Sequence, residues 1–161
     1  MADLIKVTLS KKTVLKYNLA DNLCTFNGDA TQIRQIVMNL IINASEAIGD
    51  KSGVIVLSTG LMNCDRAYFG TTSESQRTKR EAPLSEGFYV YFEVTDTGCG
   101  MDAEIIKKIF DPFFTTKFTG RGLGMSSVLG ILRSHNAAID IVGRSVKAQS
   151  SRPSSMRMNP A

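Results

Sequence analysis

Residues 29–48 constrain the fold more than any other part of the chain. Ile33, Ile36, Val37, Leu40, Ile41, Ala44, Ala47 and Ile48 recur at helical intervals, Asp29 and Gln32 have capping-box spacing, and Gly49 stops the run. Between Ile36 and Ala44 the helix is apolar nearly all round, interrupted only by Asn39 and Asn43. A helix of that kind is buried, so the remaining chain must supply a layer to cover it. The two amides lie one turn apart and reach the same place. Burying an amide without a partner costs a few kcal/mol, so the pair binds something, either protein groups or a ligand.

The flanking segments read as strands and loops. Residues 14–18 and 53–61 are strand candidates, and residues 62–87, rich in Ser, Thr, Arg and Glu, predict a connecting loop. In FYVYFEVTD, residues 88–96, alternation places Phe88, Val90, Phe92, Val94 and Asp96 on one face. Helices are expected at 103–110 and 125–135 and a last strand at 138–142. The Ser-rich chain beyond shows no strand pattern, so the reading is one domain over 1–142 and a disordered tail over 143–161.

Charge and cysteine usage narrow the function classes. Of 19 Lys and Arg, four follow Asp140 with no acid among them, which leaves 15 against 15 Asp and Glu. The body is neutral, and Arg77, Lys79 and Arg80 read as a solvated loop, so no nucleic-acid partner is expected. Cys24, Cys64 and Cys99 have no C-x-x-C spacing, which fits a reduced, cytoplasmic setting. No run approaches the roughly 20 apolar residues that span a bilayer, so no membrane contact by this stretch is expected.

Two further features carry chemistry. Asp96 ends a strand at the edge of an apolar face, where a carboxylate needs a donor, and Gly98 and Gly100 follow it where backbone can take positive φ and let a ligand approach. The same D-x-G-x-G can be a turn capped by the Asp side chain. GRGLGM, residues 120–125, sets three alternate glycines before a helix, where unpaired N–H groups and the helix dipole favour phosphate. Residues 115–124 combine glycines, threonines and two cations with few apolar anchors, and are expected to have low local stability without ligand.

In order along the chain, QIRQIVMNLIINASEAI (32–48) resembles the N box of the GHKL ATPase and kinase superfamily, DTGCGMD (96–102) its G1 box, IFDPFFTTK (109–117) the F box of histidine kinases, and GRGLGM the G2 box. The whole is similar to the ATP-binding catalytic domain of a sensor histidine kinase of the hybrid or nitrogen-regulation type. The resemblance implies an α+β fold, a two-layer α/β sandwich with a mixed, mostly antiparallel sheet backed by three helices. It implies ATP and Mg²⁺ as ligands. Asp96 would accept from the adenine amino group, with Gly98, Gly100 and Met101 shaping the base pocket. Asn43 would coordinate Mg²⁺, with Asn39 completing that polar edge. Lys117 and Arg121 would balance phosphate charge, and Gly120, Gly122, Leu123 and Gly124 would present backbone N–H groups. Phe110, Phe113 and Phe114 would anchor the lid to the core.

The chain also departs from that family. Glu46 stands where many relatives carry a cation, and the only histidine, His135, lies at the end of the helix after the G2 box. No motif for a phosphorylated histidine occurs. The partners implied are therefore a histidine-bearing dimerisation domain of the same kinase and, through it, a response-regulator receiver domain, with this fragment a monomer. The rival readings are a GHKL ATP hydrolase and a nucleotide-binding module without catalysis. Hydrolases of the superfamily carry glutamate where this chain has Asn39, and an amide cannot serve as a general base.

Overall fold

The buried helix required by the apolar run is α1, Ala30–Ile48, in a computed structural model that describes residues 12–64, 86–116, 122–135, 137–142 and 145–151. Asp29 caps it, its carboxylate accepting from the backbone N–H groups of Thr31 at 2.7 Å and Gln32 at 3.1 Å. Those bonds, Gln32's foremost, hold the carboxyl below the usual aspartate range. The cap thus stabilises the fold fully above the ordinary aspartate pKa and loses its effect as pH falls through the lowered folded-state value. Gly49, at φ 64°, closes the helix and donates its N–H to Ser45 O at 3.0 Å. The capping box is completed from elsewhere: the Asp29 N–H goes to His135 Nε2, 2.9 Å away.

The covering layer is a five-stranded sheet in the order β1-β2-β3-β5-β4. Its strands are β1 Thr13–Asn18, β2 Gly53–Cys64, β3 Gly87–Asp96, β4 Ala137–Val142 and β5 Ser145–Ser151. β1 runs parallel to β2, and β2–β3, β3–β5 and β4–β5 are antiparallel. Against one face pack α1 and α3, Gly124–Ser134, while α2, Ala103–Lys108, is a short helix whose Ile106 packs against the core. Ile36, Leu40 and Ile41 of α1 join Ile55, Val94, Val128, Leu132, Ile139 and Ile141 in one buried cluster. Each such side chain contributes about 1.5–3 kcal/mol by leaving water. This is the expected two-layer sandwich with a mixed, mostly antiparallel sheet.

Two expectations are corrected. The chain after Val142 is not a disordered tail throughout, because β5 inserts between β3 and β4 and bonds to both; residues 143, 144 and 152–161 lie outside the described set. At the start of β3 the alternation also fails. Phe92 and Val94 pack in the core as predicted, but Phe88 is 54% exposed and Tyr89, which points away from the helices, is 1% exposed. No helix among the described residues is long and apolar enough to cross a membrane.

Truncation distinguishes a strand from a tail. A chain ending at Val142 loses the strand that bonds β3 to β4 and should show no cooperative thermal transition, whereas one ending at Ser151 should retain it. Equal melting of the full chain and the shorter one would restore the tail reading.

Candidate functional site

The segment after β3 is fastened to α1 and β2 by its own backbone. Asp96 Oδ1 accepts from the Gly98 N–H at 2.7 Å, Cys99 N–H donates to Ala47 O at 3.1 Å, and Thr97 exchanges two bonds with Val54. A Cβ on Gly98 would lie 2.6 Å from the carbonyl carbon of Ala47. Gly98 is therefore required by the approach of α1 and does not take positive φ, which corrects that part of the expectation. Gly100 does have positive φ, 73°. Both readings of D-x-G-x-G meet here: one Asp96 oxygen caps the turn while the side chain still lines the adjoining cavity.

The segment before α3 is held by a second set of backbone contacts. Phe113 N–H donates to Gly122 O at 3.0 Å, and Gly122, at φ 66°, lies where a Cβ would come within 2.4 Å of the Phe113 carbonyl carbon. Phe113 itself takes φ 67°, an uncommon state for a non-glycine residue. Its ring is 76% exposed, so it does not anchor the segment to the core as expected. The three phenylalanines divide: Phe110 packs against the core, Phe114 lines the cavity and Phe113 faces solvent. On α1, Asn39 Nδ2 donates to Gly124 O at 3.3 Å. No hydrogen bond joins the Asn43 amide to a described residue.

Between these segments opens a cavity of about 510 Å³, within the range of a small-molecule site. Asn39, Asn43, Asp96, Gly100, Met101, Gly122, Leu123 and Gly124 all line it, so eight residues singled out from separate motifs converge. Gly98 stands behind the wall, against Ala47. Lys117, Gly120 and Arg121 lie outside the described residues. Sequence reasoning missed the apolar wall of Ile105, Ile109 and Val94 and the lining positions of Thr115 and Thr116, while Glu46, noted as a departure from the family, also lines the cavity. The signal for Ile105 and Ile109 was their i,i+4 spacing along a short helix that Ile109 caps at its C-terminus. Among the described residues no group of three or more His, Cys, Asp or Glu could hold a metal.

An apolar cavity lined by a carboxylate, by glycine backbone and by an amide with no bond to a described residue suits a molecule with a flat base and an anionic tail. Fold and site together define an ATP-binding domain. The chain belongs to the histidine kinase-, DNA gyrase B-, and HSP90-like ATPase family, HATPase_c, which matches residues 28–158. It is similar to the sensor kinase CckA of Brucella abortus (strain 2308), 34% identical over 127 residues, which is 78% of this chain and 12% of that protein. To the sensory histidine kinase/phosphatase NtrB of Rhizobium leguminosarum bv. phaseoli it is 37% identical over 110 residues, 68% of this chain and 26% of that one. The chain thus spans about a quarter or less of these curated relatives. The nucleotide-free catalytic domain of the histidine kinase ThkA shares the fold, with a TM-score of 0.63 at 22% identity over 94% of this chain and 84% of that one.

The Gly98 contact generates a test. Gly98→Ala should destabilise the protein by about 1–3 kcal/mol in urea melts, because the methyl group meets helix backbone that cannot rotate aside. Gly130→Ala, on α3 where nothing lies within 4 Å, should be neutral or stabilise by up to about 1 kcal/mol.

Proposed function

We propose that this chain binds Mg-ATP in the cavity between α1, the loop after β3, α2 and the start of α3. From there it offers the γ-phosphate to a histidine on a dimerisation domain carried elsewhere in the same kinase, which passes it to a response-regulator receiver domain. The observation that carries the reading is the convergence on one cavity of Asp96, Asn43 and the backbone of Gly122 and Gly124, which come from three different elements. Asp96 receives the adenine amino group, and Gly100 and Met101 shape the slot around the base. Ile105 and Ile109 exclude water from its face. Lys117, Gly120 and Arg121 act on the phosphates with Gly122, Leu123 and Gly124.

The donor set fits magnesium: Asn43 offers one amide oxygen with no competing bond from a described residue, and the phosphates supply the remaining hard oxygens. The bound ion neutralises phosphate charge. In phosphoryl transfer the protein mainly positions the donor and stabilises charge, while the acceptor must be supplied. His135 is not that acceptor, since both of its ring nitrogens are engaged by backbone. Nor does the site favour hydrolysis, because the Asn39 amide cannot take a proton from water and is bonded to Gly124 O.

Asp96→Asn separates the two jobs of that residue. The amide oxygen can still accept from the Gly98 N–H, so the turn and the melting temperature should survive, while the NH₂ group faces the adenine amino donor. ATP affinity measured by calorimetry should fall at least tenfold, about 1.4 kcal/mol; equal affinity would overturn the adenine assignment. Asn43→Ala should abolish the tightening of ATP by Mg²⁺ yet leave weak adenosine binding. With a separately supplied histidine-bearing domain, γ-labelled ATP should label that domain only when this chain is present, and release of labelled inorganic phosphate alone would favour hydrolysis.

A further inference from the structure

His135 joins the end of α3 to the start of α1. Its Nδ1 lies 2.9 Å from Ile131 O, a pure acceptor, and its Nε2 lies 2.9 Å from the Asp29 N–H, a pure donor. Only one neutral form satisfies both: the proton sits on Nδ1 and Nε2 accepts. The ring also has a fitted place, because a Cβ on Gly28 would come within 3.1 Å of His135 Cδ2 and 2.9 Å of the Phe26 ring. The contact is built on backbone on both sides.

A second bond joins the middle of α1 to the start of α3, from Asn39 Nδ2 to Gly124 O at 3.3 Å. Along α1, Asp29 and Asn39 are ten residues apart; along α3, Gly124 and His135 are eleven apart. At 1.5 Å per residue these are spans of about 15 and 16.5 Å, so two antiparallel helices are pinned at matching points. Between the pins lie Ile36, Val37, Val128 and Leu132, all buried. Apolar packing of that kind is nondirectional and resists separation more than sliding. The two hydrogen bonds, ten residues apart on α1, fix the axial register.

That register matters for the cavity, because α1 carries Asn43 and the first turn of α3 carries Gly124 and Met125. We propose that His135 is a positioning residue for the nucleotide site: from the far end of α3 it sets how the α3 start faces Asn43. The idea rests on the reading of the cavity as an ATP site. Loss of the imidazole removes one pin and lets α3 shift along α1, so the amides near Gly124 no longer meet the phosphates at the distance that Asn43 requires.

The experiment uses the full chain and three proteins: wild type, His135→Ala and His135→Gln. Glutamine can place an acceptor oxygen near the Nε2 position and so restore the bond from the Asp29 N–H. Calorimetry with Mg-ATP should show His135→Ala weakened at least fivefold and His135→Gln within about twofold of wild type. Adenosine, which does not reach the G2 segment, should bind all three alike. Nitrogen NMR of the wild type, with its single histidine, should show the Nδ1–H tautomer. The Nε2–H tautomer, or equal Mg-ATP affinity in the alanine variant, overturns the proposal. So does equal loss of Mg-ATP and adenosine in the alanine variant, which marks a general structural role. If the alanine variant does not fold, a glutamine variant that folds but binds Mg-ATP as weakly as free adenosine overturns it as well. Failure of the wild type to bind Mg-ATP at all removes the ATP reading itself, a result distinct from any difference among the variants.

Discussion

Where the last turn of α1 meets the loop after β3, the two backbones touch directly. Ala47 O accepts from the Cys99 N–H, and Gly98 comes so near Ala47 that no side chain fits between them. Asn43 lies one turn before Ala47 on the same helix, and Asp96 lies two residues before Gly98. One backbone junction therefore fixes the separation of the two polar groups that face the cavity. Its rigidity comes from below, since Ile41, Ala44 and Ile48 of α1 and Ile55 and Val94 of the sheet are all buried in the same cluster. The apolar run that opens the chain's folding problem also places its chemistry.

The opposite wall is held differently. Phe113 and Gly122 share one backbone bond, both at positive φ, and Phe113 leaves its ring in solvent. A non-glycine residue in that region stores on the order of 1–3 kcal/mol, which persists only while its surroundings enforce it.

The sequence made most of this legible because the informative residues are those whose type cannot be exchanged. The apolar period of α1, the alternation through Phe92 and Val94, and the glycines of two loops all have direct physical correlates. β5 was not legible. Its residues Ser145, Lys147, Gln149 and Ser151 alternate with Val146, Ala148 and Ser150, a pattern with too little apolar content to mark a strand, and its place is set by the two strands that flank it. Gly98 was legible as a glycine that matters but for the wrong reason, since close approach of a distant helix leaves no local trace. Phe113 reads as apolar and so as buried; its exposure follows from the backbone turn that brings it to Gly122. His135 was legible only as a lone histidine, because its partners at Asp29 and Ile131 are joined by the fold and not by spacing.

Position 39 shows how one residue can shape both structure and chemistry. Its amide N–H group reaches Gly124 O, the carbonyl at the first residue of α3. A carboxylate in that place would bring acceptor against acceptor and lose the bond, and a buried charge beside a carbonyl oxygen is costly. The geometry that couples α1 to α3 thus calls for a donor at 39, while water activation calls for a base. The two demands exclude each other in this chain. An arrangement built around the donor keeps the helix register and gives up the base.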